Sequence, residues 1–183
     1  MDAANQGVKE SHRQGIHSIG LLIALPNHNE IANSHLDIKS EHTRFSTRLD
    51  EFMRMSHGVI VAPGGIGTLL ELTYTWQLIQ VHLMEPRPVV LLGRDFWEGL
   101  LDWMRAQQLQ HRLINPGDLD FVHLADTEAE VLDLIRPALE KFRSQKREQG
   151  DNPRADQAET MLDQVEEAKN QPERQLTLFQ NIG

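Results

Sequence analysis

No cysteine occurs among the 183 residues. Disulfides, thiolate nucleophiles and thiolate-bound metals are therefore excluded, which suits a reducing compartment. No apolar run approaches the roughly 18 residues that a membrane-spanning helix needs. The first ten residues, MDAANQGVKE, lack the apolar core of a signal peptide. Positive charge is in deficit: 18 Lys and Arg stand against 27 Asp and Glu, for a formal net charge of −9. That balance argues against a nucleic-acid partner, whose phosphates need a basic surface. It still leaves room for a local basic pocket holding one small phosphate. No internal repeat is visible. These absences predict a soluble, cytoplasmic protein with no membrane and no nucleic-acid partner.

What is present fits one domain plus a tail. His17–Pro26, Gly58–Ala62, Arg87–Gly93 and Phe121–Ala125 are short apolar runs without alternation. Such runs suit strands buried on both faces, as in a parallel sheet. Between and around them lie helical segments: polar Asp2–Gln14, with Gly15 as a stop, then Arg44–Ser56 and Gly67–Leu83 with apolar residues at helical spacing, and a helix from Asp95, its expected N-cap. A closing helix starts at Asp126 or Thr127. The polar stretch 27–43 reads as a long surface loop. Alternating strand and helix predicts a doubly wound parallel sheet flanked by helices, over residues 1–142. Residues 143–183 are rich in Gln, Glu and Asp and read as a flexible or loosely helical acidic tail.

The stretch Ala62-Pro-Gly-Gly-Ile-Gly-Thr-Leu-Leu-Glu71 packs three glycines into four positions between a strand and a helix. In a doubly wound sheet, ligands bind at the carboxyl ends of strands. Glycine allows positive φ and close approach of a ligand to main-chain amides. Amides at a helix start are unpaired and attract anions. Thr68-Leu-Leu-Glu71 also matches a capping box, which needs no chemistry. A cap does not explain three glycines and a proline. No lysine follows as in a Walker loop, and the spacing is not GxGxxG. These residues alone indicate an anion site of unspecified kind.

Pro63-Gly64-Gly65-Ile66-Gly67-Thr68-Leu69-Leu70-Glu71 matches every fixed position of PGGxGTxxE. In this the chain resembles the LOG family, often labelled "lysine decarboxylase-like", with Rossmann-like proteins such as phosphoribohydrolases and nucleoside 5′-monophosphate nucleosidases. Arg48, on the preceding helix, stands at the spacing of a family arginine. The stretch RLDEFMRMSHGVIVAPGGIGT is most similar to the bacterial nucleotide nucleosidase branch. Arg48-Leu49 replaces the Arg-Lys usual in the cytokinin-activating branch. The likeness covers about residues 1 to 140. Family members carry one or two glycine-rich strand–helix units before the "AAN.G" helix. This chain starts inside that helix, so the resemblance implies a sheet without its N-terminal strand–helix unit or units.

The resemblance implies hydrolysis of the N-glycosidic bond of a nucleoside 5′-monophosphate to free base and ribose 5-phosphate, as in AMP nucleosidase. The alternative is a non-catalytic nucleotide-binding module. In the first reading Glu71 stabilises the growing positive charge on ribose and orients water. Gly64, Gly65, Gly67 and Thr68 hold the 5′-phosphate. Arg48 pairs with phosphate or assists departure of the base; read alone, it is an exposed helix arginine beside Asp50 and Glu51. Glu30 is a candidate substrate contact. The reaction needs no cofactor and no metal, and His28, His35, His42 and His57 show no ligand spacing. Trp76, Trp97 and Trp103 read as core or dimer-contact residues. The resemblance also implies a homodimer or higher homo-oligomer, with the apolar Gly67–Leu83 helix at the contact. Amino-acid decarboxylation would call for a lysine bearing pyridoxal phosphate, and the glycine turn contains no lysine.

Overall fold

Strand and helix alternate as the apolar runs require, and the computed structural model folds them into two units, Met1–Ser56 and His57–Gly183. It describes residues 2–11, 15–25, 28–29 and 32–169. Glu30 lies outside the described residues.

The first unit holds α1 (Asp2–Glu10), β1 (Ile19–Leu25), β2 (His28–Asn29), β3 (Ile38–His42) and α2 (Phe45–Met55). β1 is central: it pairs antiparallel with β2 and parallel with β3, with Ile19 opposite Ile38 and Ile23 opposite His42. α2 packs on β1 and β3 and buries Leu49 and Met53, two of its four spaced apolar residues. Side-chain bonds tie down the entry to β1. Asp37 accepts the Ser18 amide at 2.8 Å, and the Ser18 hydroxyl donates to Asn5 Oδ1 at 3.0 Å. The Ser18 amide holds the Asp37 carboxyl below its ordinary value, with Lys9 Nζ 3.7 Å away.

Two expectations change here. β1 was expected to be buried on both faces, yet Ile23 is the buried apolar residue within Ile19–Ala24, and Ile19 is 38% exposed. Within this unit its neighbours are one two-residue strand and one largely exposed strand, so little surface covers it. The stretch 27–43 is not all loop, because it contains β2 and β3. β3 reads IKSEH and has no buried residue. Its register comes from main-chain bonds to β1 rather than from an apolar face.

The second unit holds β4 (Val59–Val61), α3 (Ile66–Gln80), β5 (Val89–Leu92), α4 (Arg94–Trp103), β6 (Val122–Ala125), α5 (Glu128–Glu148) and α6 (Asn152–Lys169). The strands are all parallel in the order β4-β5-β6. β5 is the middle strand, and all four of its residues are buried, as its unbroken apolar run requires. Val90, Leu92, Ala125 and Val131 form a core cluster, with Leu134 and Ile135 of α5 packed against it. Both units are thus α/β structures with parallel strand pairs flanked by helices, in agreement with the Rossmann-like reading; the second sheet is all parallel, and β2 adds one short antiparallel pairing to the first. The described strands form two three-stranded sheets.

Helix ends in this unit follow their local chemistry. Thr127 caps α5, its hydroxyl accepting from the Glu130 amide at 3.3 Å. α4 is not capped by Asp95. Its N-cap is Gly93, in the left-handed region at φ 95°, and Asp95 falls in the first turn. α4 runs directly into a π-helical turn, Met104–Leu109. Residues 143–169, read from sequence as tail, complete α5 and form α6. α6 packs along α5 with Ala155, Ala158 and Leu162 buried. Ion pairs Arg143–Glu159 and Arg147–Asp156, both 3.7 Å, accompany closer Arg136–Glu166 and Arg147–Glu159 pairs. Among the described residues no helix is long and apolar enough to cross a membrane.

Candidate active site

Three parallel strands bring the carboxyl ends of β4, β5 and β6 to one end of the sheet. There the chain leaves β4 through Ala62-Pro63-Gly64-Gly65 and enters α3. Gly65 is the N-cap, extended at φ −92°, and no side chain caps the helix. The first intrahelical bond runs from the Leu69 amide to Gly65 O at 3.1 Å. The amides of Ile66, Gly67 and Thr68 therefore have no intrahelical acceptor, and they carry the positive end of the α3 dipole.

The glycines have different jobs, and none is positive φ. Among the described residues, glycines with positive φ are Gly15, Gly93 and Gly150, which corrects the expectation for the turn. Gly64 is small because Thr68 lies against it: a Cβ there would sit 2.2 Å from Thr68 Oγ1. At Gly65 and Gly67 a Cβ would meet nothing within 4 Å. Neither internal packing nor backbone strain calls for glycine at these two positions. Their bare faces leave the helix start open to an approaching group. Beside it Ile66 is 82% exposed.

The capping-box reading of Thr68 and Glu71 is overturned. A box requires Thr68 to be the N-cap, but α3 begins three residues earlier, after Gly65. Thr68 is the third helical residue, and Glu71 lies one turn further along the same face. Both are half-buried. The Thr75 hydroxyl, fully buried, donates to Glu71 O at 2.7 Å and holds the main chain at that residue. The carboxylate of Glu71 thus stands a turn inside a helix whose open end gathers main-chain donors.

The remaining expected residues fall elsewhere. Arg48 belongs to the first unit, half-buried on α2, with its guanidinium 5.8 Å from the Phe45 ring centre. In that unit His42 Nε2 meets Glu51 at 3.0 Å, and His35 meets Asp2 at 3.1 Å. Trp97 and Trp76 are core residues at 1% and 6% exposure, whereas Trp103 is 53% exposed. Trp76 Nε1 donates to Asp118 O at 2.6 Å.

Reading the sequence alone missed Arg94. It opens α4, one residue (Gly93) after β5, and lies at the same end of the sheet as the glycine turn. Its amide donates to Asp126 Oδ1 at 2.7 Å and its Nε to Oδ2 at 3.2 Å. Asp126 follows β6, so one carboxylate joins two strand ends. The available signal was positional: a charged residue one step beyond each apolar run. A cavity of about 300 Å3 lies along the other half of α3, between Trp76, Gln77 and Gln80 and the π turn residues Met104 and Gln108. It has no charged lining and contains none of the expected site residues.

No curated protein matches the chain. The model of the family described as "Possible lysine decarboxylase" matches residues 1–135. That span contains the glycine turn, Glu71 and Arg48, and it is most of the chain. By that match the chain belongs to this LOG-like family, the one to which Pro63–Glu71 pointed.

Proposed function

We propose that the protein is a phosphoribohydrolase that cleaves the N-glycosidic bond of nucleoside 5′-monophosphates. One observation carries the reading: the start of α3 has no side-chain cap, and the glycines at 65 and 67 have open faces. A 5′-phosphate suits that end, since it accepts from several amides and gains from the helix dipole. Thr68 adds a hydroxyl.

With phosphate held there, ribose extends towards Glu71. The C1′–N bond breaks with positive charge growing on C1′ and the ring oxygen. A carboxylate one helical turn away stabilises that charge electrostatically and orients the water that adds to C1′. Water supplies hydroxyl to C1′ and a proton to the departing base. The products are free base and ribose 5-phosphate. Arg48 keeps the role that the motif resemblance implies, and Arg48→Ala tests it separately.

The test is incubation with AMP, GMP, CMP and UMP, with free base detected chromatographically. Release of base by the wild-type chain and its loss in Glu71→Gln support the proposal. Nucleotide binding without base release from any of the four would overturn hydrolysis and leave a binding module.

A further inference from the structure

Three departures from regular backbone meet around the uncharged cavity beside α3. One wall belongs to the π-helical turn Met104–Leu109, a rare winding that recurs at functional sites. His82 follows the α3 wall, and Arg112 precedes the wall residues Leu113 and Ile114. Both take left-handed backbone, at φ 59° and 58°, and they are the two non-glycine residues that do so among the described residues. Each stops a helical segment: the Leu83 amide donates to Leu78 O at 2.9 Å, and the Leu113 amide to Gln108 O at 2.8 Å. Glycine is the usual residue at such stops, because a side chain there is strained. Strain of this kind gathers where a ligand is held.

A chain of hydrogen bonds aims the polar groups of this cavity. Asp118 Oδ2 accepts from the Asn115 amide and from Gln80 Nε2, each at 2.8 Å. With its nitrogen committed to Asp118, Gln80 turns its Oε1 to Gln77, whose Nε2 donates to it at 3.2 Å. That order leaves Gln77 Oε1 and one Gln77 N–H without a partner among the described residues. On the π turn, the Gln108 side chain likewise has no hydrogen-bond partner among the described residues. Two amides on different walls thus each keep a donor and an acceptor. Charged residues make up 25% of the chain, yet none lines the cavity. The cavity is not a subsite of the glycine turn. Thr73 lines it, and Glu71 lies two residues away, about 200° around α3.

We propose that this cavity is a second binding site, which takes a nucleobase as a neutral planar molecule held at its edges by Gln77 and Gln108. A base edge sets a donor beside an acceptor, the pattern that a glutamine amide pairs with through two bonds. The faces of the ring are apolar, and Met104, Leu113 and Ile114 supply apolar surface for them. A volume of about 300 Å3 stands at the small end of ligand pockets and suits a single base. The site is independent of the hydrolytic reading. A protein that binds a base here and hydrolyses nothing would leave this inference intact.

The experiment follows the Trp76 indole N–H by NMR, since Trp76 lines the cavity, with the core residue Trp97 as internal reference. Adenine, hypoxanthine, cytosine and uracil are titrated in turn. We expect a saturable shift of the Trp76 signal with at least one base, while the Trp97 signal stays in place. Gln77 is exposed and Gln108 half-buried, so Gln77→Ala/Gln108→Ala should keep the fold. In that double variant the apparent affinity should fall at least about tenfold, the loss expected for two or more hydrogen bonds. Intermolecular NOEs from the base to the Met104 methyl locate the ring in the unaltered protein. The proposal is overturned by the absence of a saturable shift with all four bases, or by undiminished affinity in the double variant. NOEs to Thr68 and none to Met104 would place the base at the glycine turn instead and overturn it equally. So would a response to AMP with none to adenine, because an uncharged lining offers nothing to a phosphate.

Discussion

The Thr68 side chain fills the space in which a side chain on residue 64 would begin. A Cβ on Gly64 would lie 2.2 Å from Thr68 Oγ1 and 2.8 Å from Thr68 Cβ. The second distance matters more, because rotating the threonine cannot relieve it. Gly64→Ala must therefore displace main chain at the start of α3. We expect a loss of about 1–3 kcal/mol, the usual range for overpacking, measured by urea unfolding. Adding Thr68→Gly should recover part of it; no recovery would show that the strain lies elsewhere.

Gly67→Ala separates fold from binding. The residue lies in the first turn of α3, without positive φ, and a methyl there meets no neighbour within 4 Å. Alanine in such a helical position should stabilise the protein by about 0.5–1 kcal/mol. If the bare face admits phosphate, the same methyl should weaken ribose 5-phosphate binding. Calorimetry and thermal melting together check both signs. A variant that is more stable and binds unchanged would remove Gly67 from the site.

Glu71→Gln keeps the shape of the side chain and removes its charge. We expect base release to fall about 10²–10⁴-fold, the scale of a lost general acid–base or electrostatic partner. Phosphate affinity should stay within a factor of about two, since α3 keeps its amide donors. Kinetics with the preferred nucleotide gives the first number, and ribose 5-phosphate titration the second.

His57 should make stability pH-dependent in a defined window. Its folded-state value is lowered, so the folded protein resists protonation that the unfolded chain accepts near 6.5. Stability from this source is present above that value and is lost as pH falls through 6.5 and then through the lower folded value. The urea midpoint should decline on acidification below about 6.5, and His57→Gln should flatten that part of the curve. An equally steep decline in the variant would assign it to other groups.

In the α5–α6 pair, packing should outweigh charge. Glu159→Gln removes the partner of Arg143 and Arg147, and these exposed pairs are worth about 0.2–1 kcal/mol. Ala158 is 1% exposed, and Ala158→Leu should cost about 1–3 kcal/mol by overpacking. Hydrogen exchange in α6 reads both effects. A larger effect from Glu159→Gln would mean that the ion ladder, not the small-residue contact, holds α6 in place.

Legibility from sequence followed the range of the forces involved. β5 was readable because four consecutive buried aliphatics leave no other solution. α2 and α3 were readable because Leu49 and Met53, and Leu72, Trp76 and Ile79, repeat at helical spacing and are buried. β3 was not readable: IKSEH has no apolar face, and only its partner strand defines it. Helix starts failed where a glycine took the cap. Asp95 and Thr68 are better N-cap residues than Gly93 and Gly65, yet main-chain geometry at the strand exits set the boundary. The site motif was visible as letters, but its division of labour was not. Only coordinates separate Gly64, which makes room for Thr68, from Gly65 and Gly67, which face open space.

The wide turn after α4 also has a bearing on how this protein can change. Gln110 bonds back to Arg105 and Leu113 to Gln108, each spanning five residues rather than four. A segment wound in that way holds one residue more than an ordinary helix of equal reach. Deleting a single residue between Trp103 and Gln110 would let it rewind tighter while its two ends keep their places. Met104 and Gln108 belong to that turn and form one wall of the uncharged cavity beside α3. The natural route to reshaping that hollow is thus a lost codon, not an exchanged side chain.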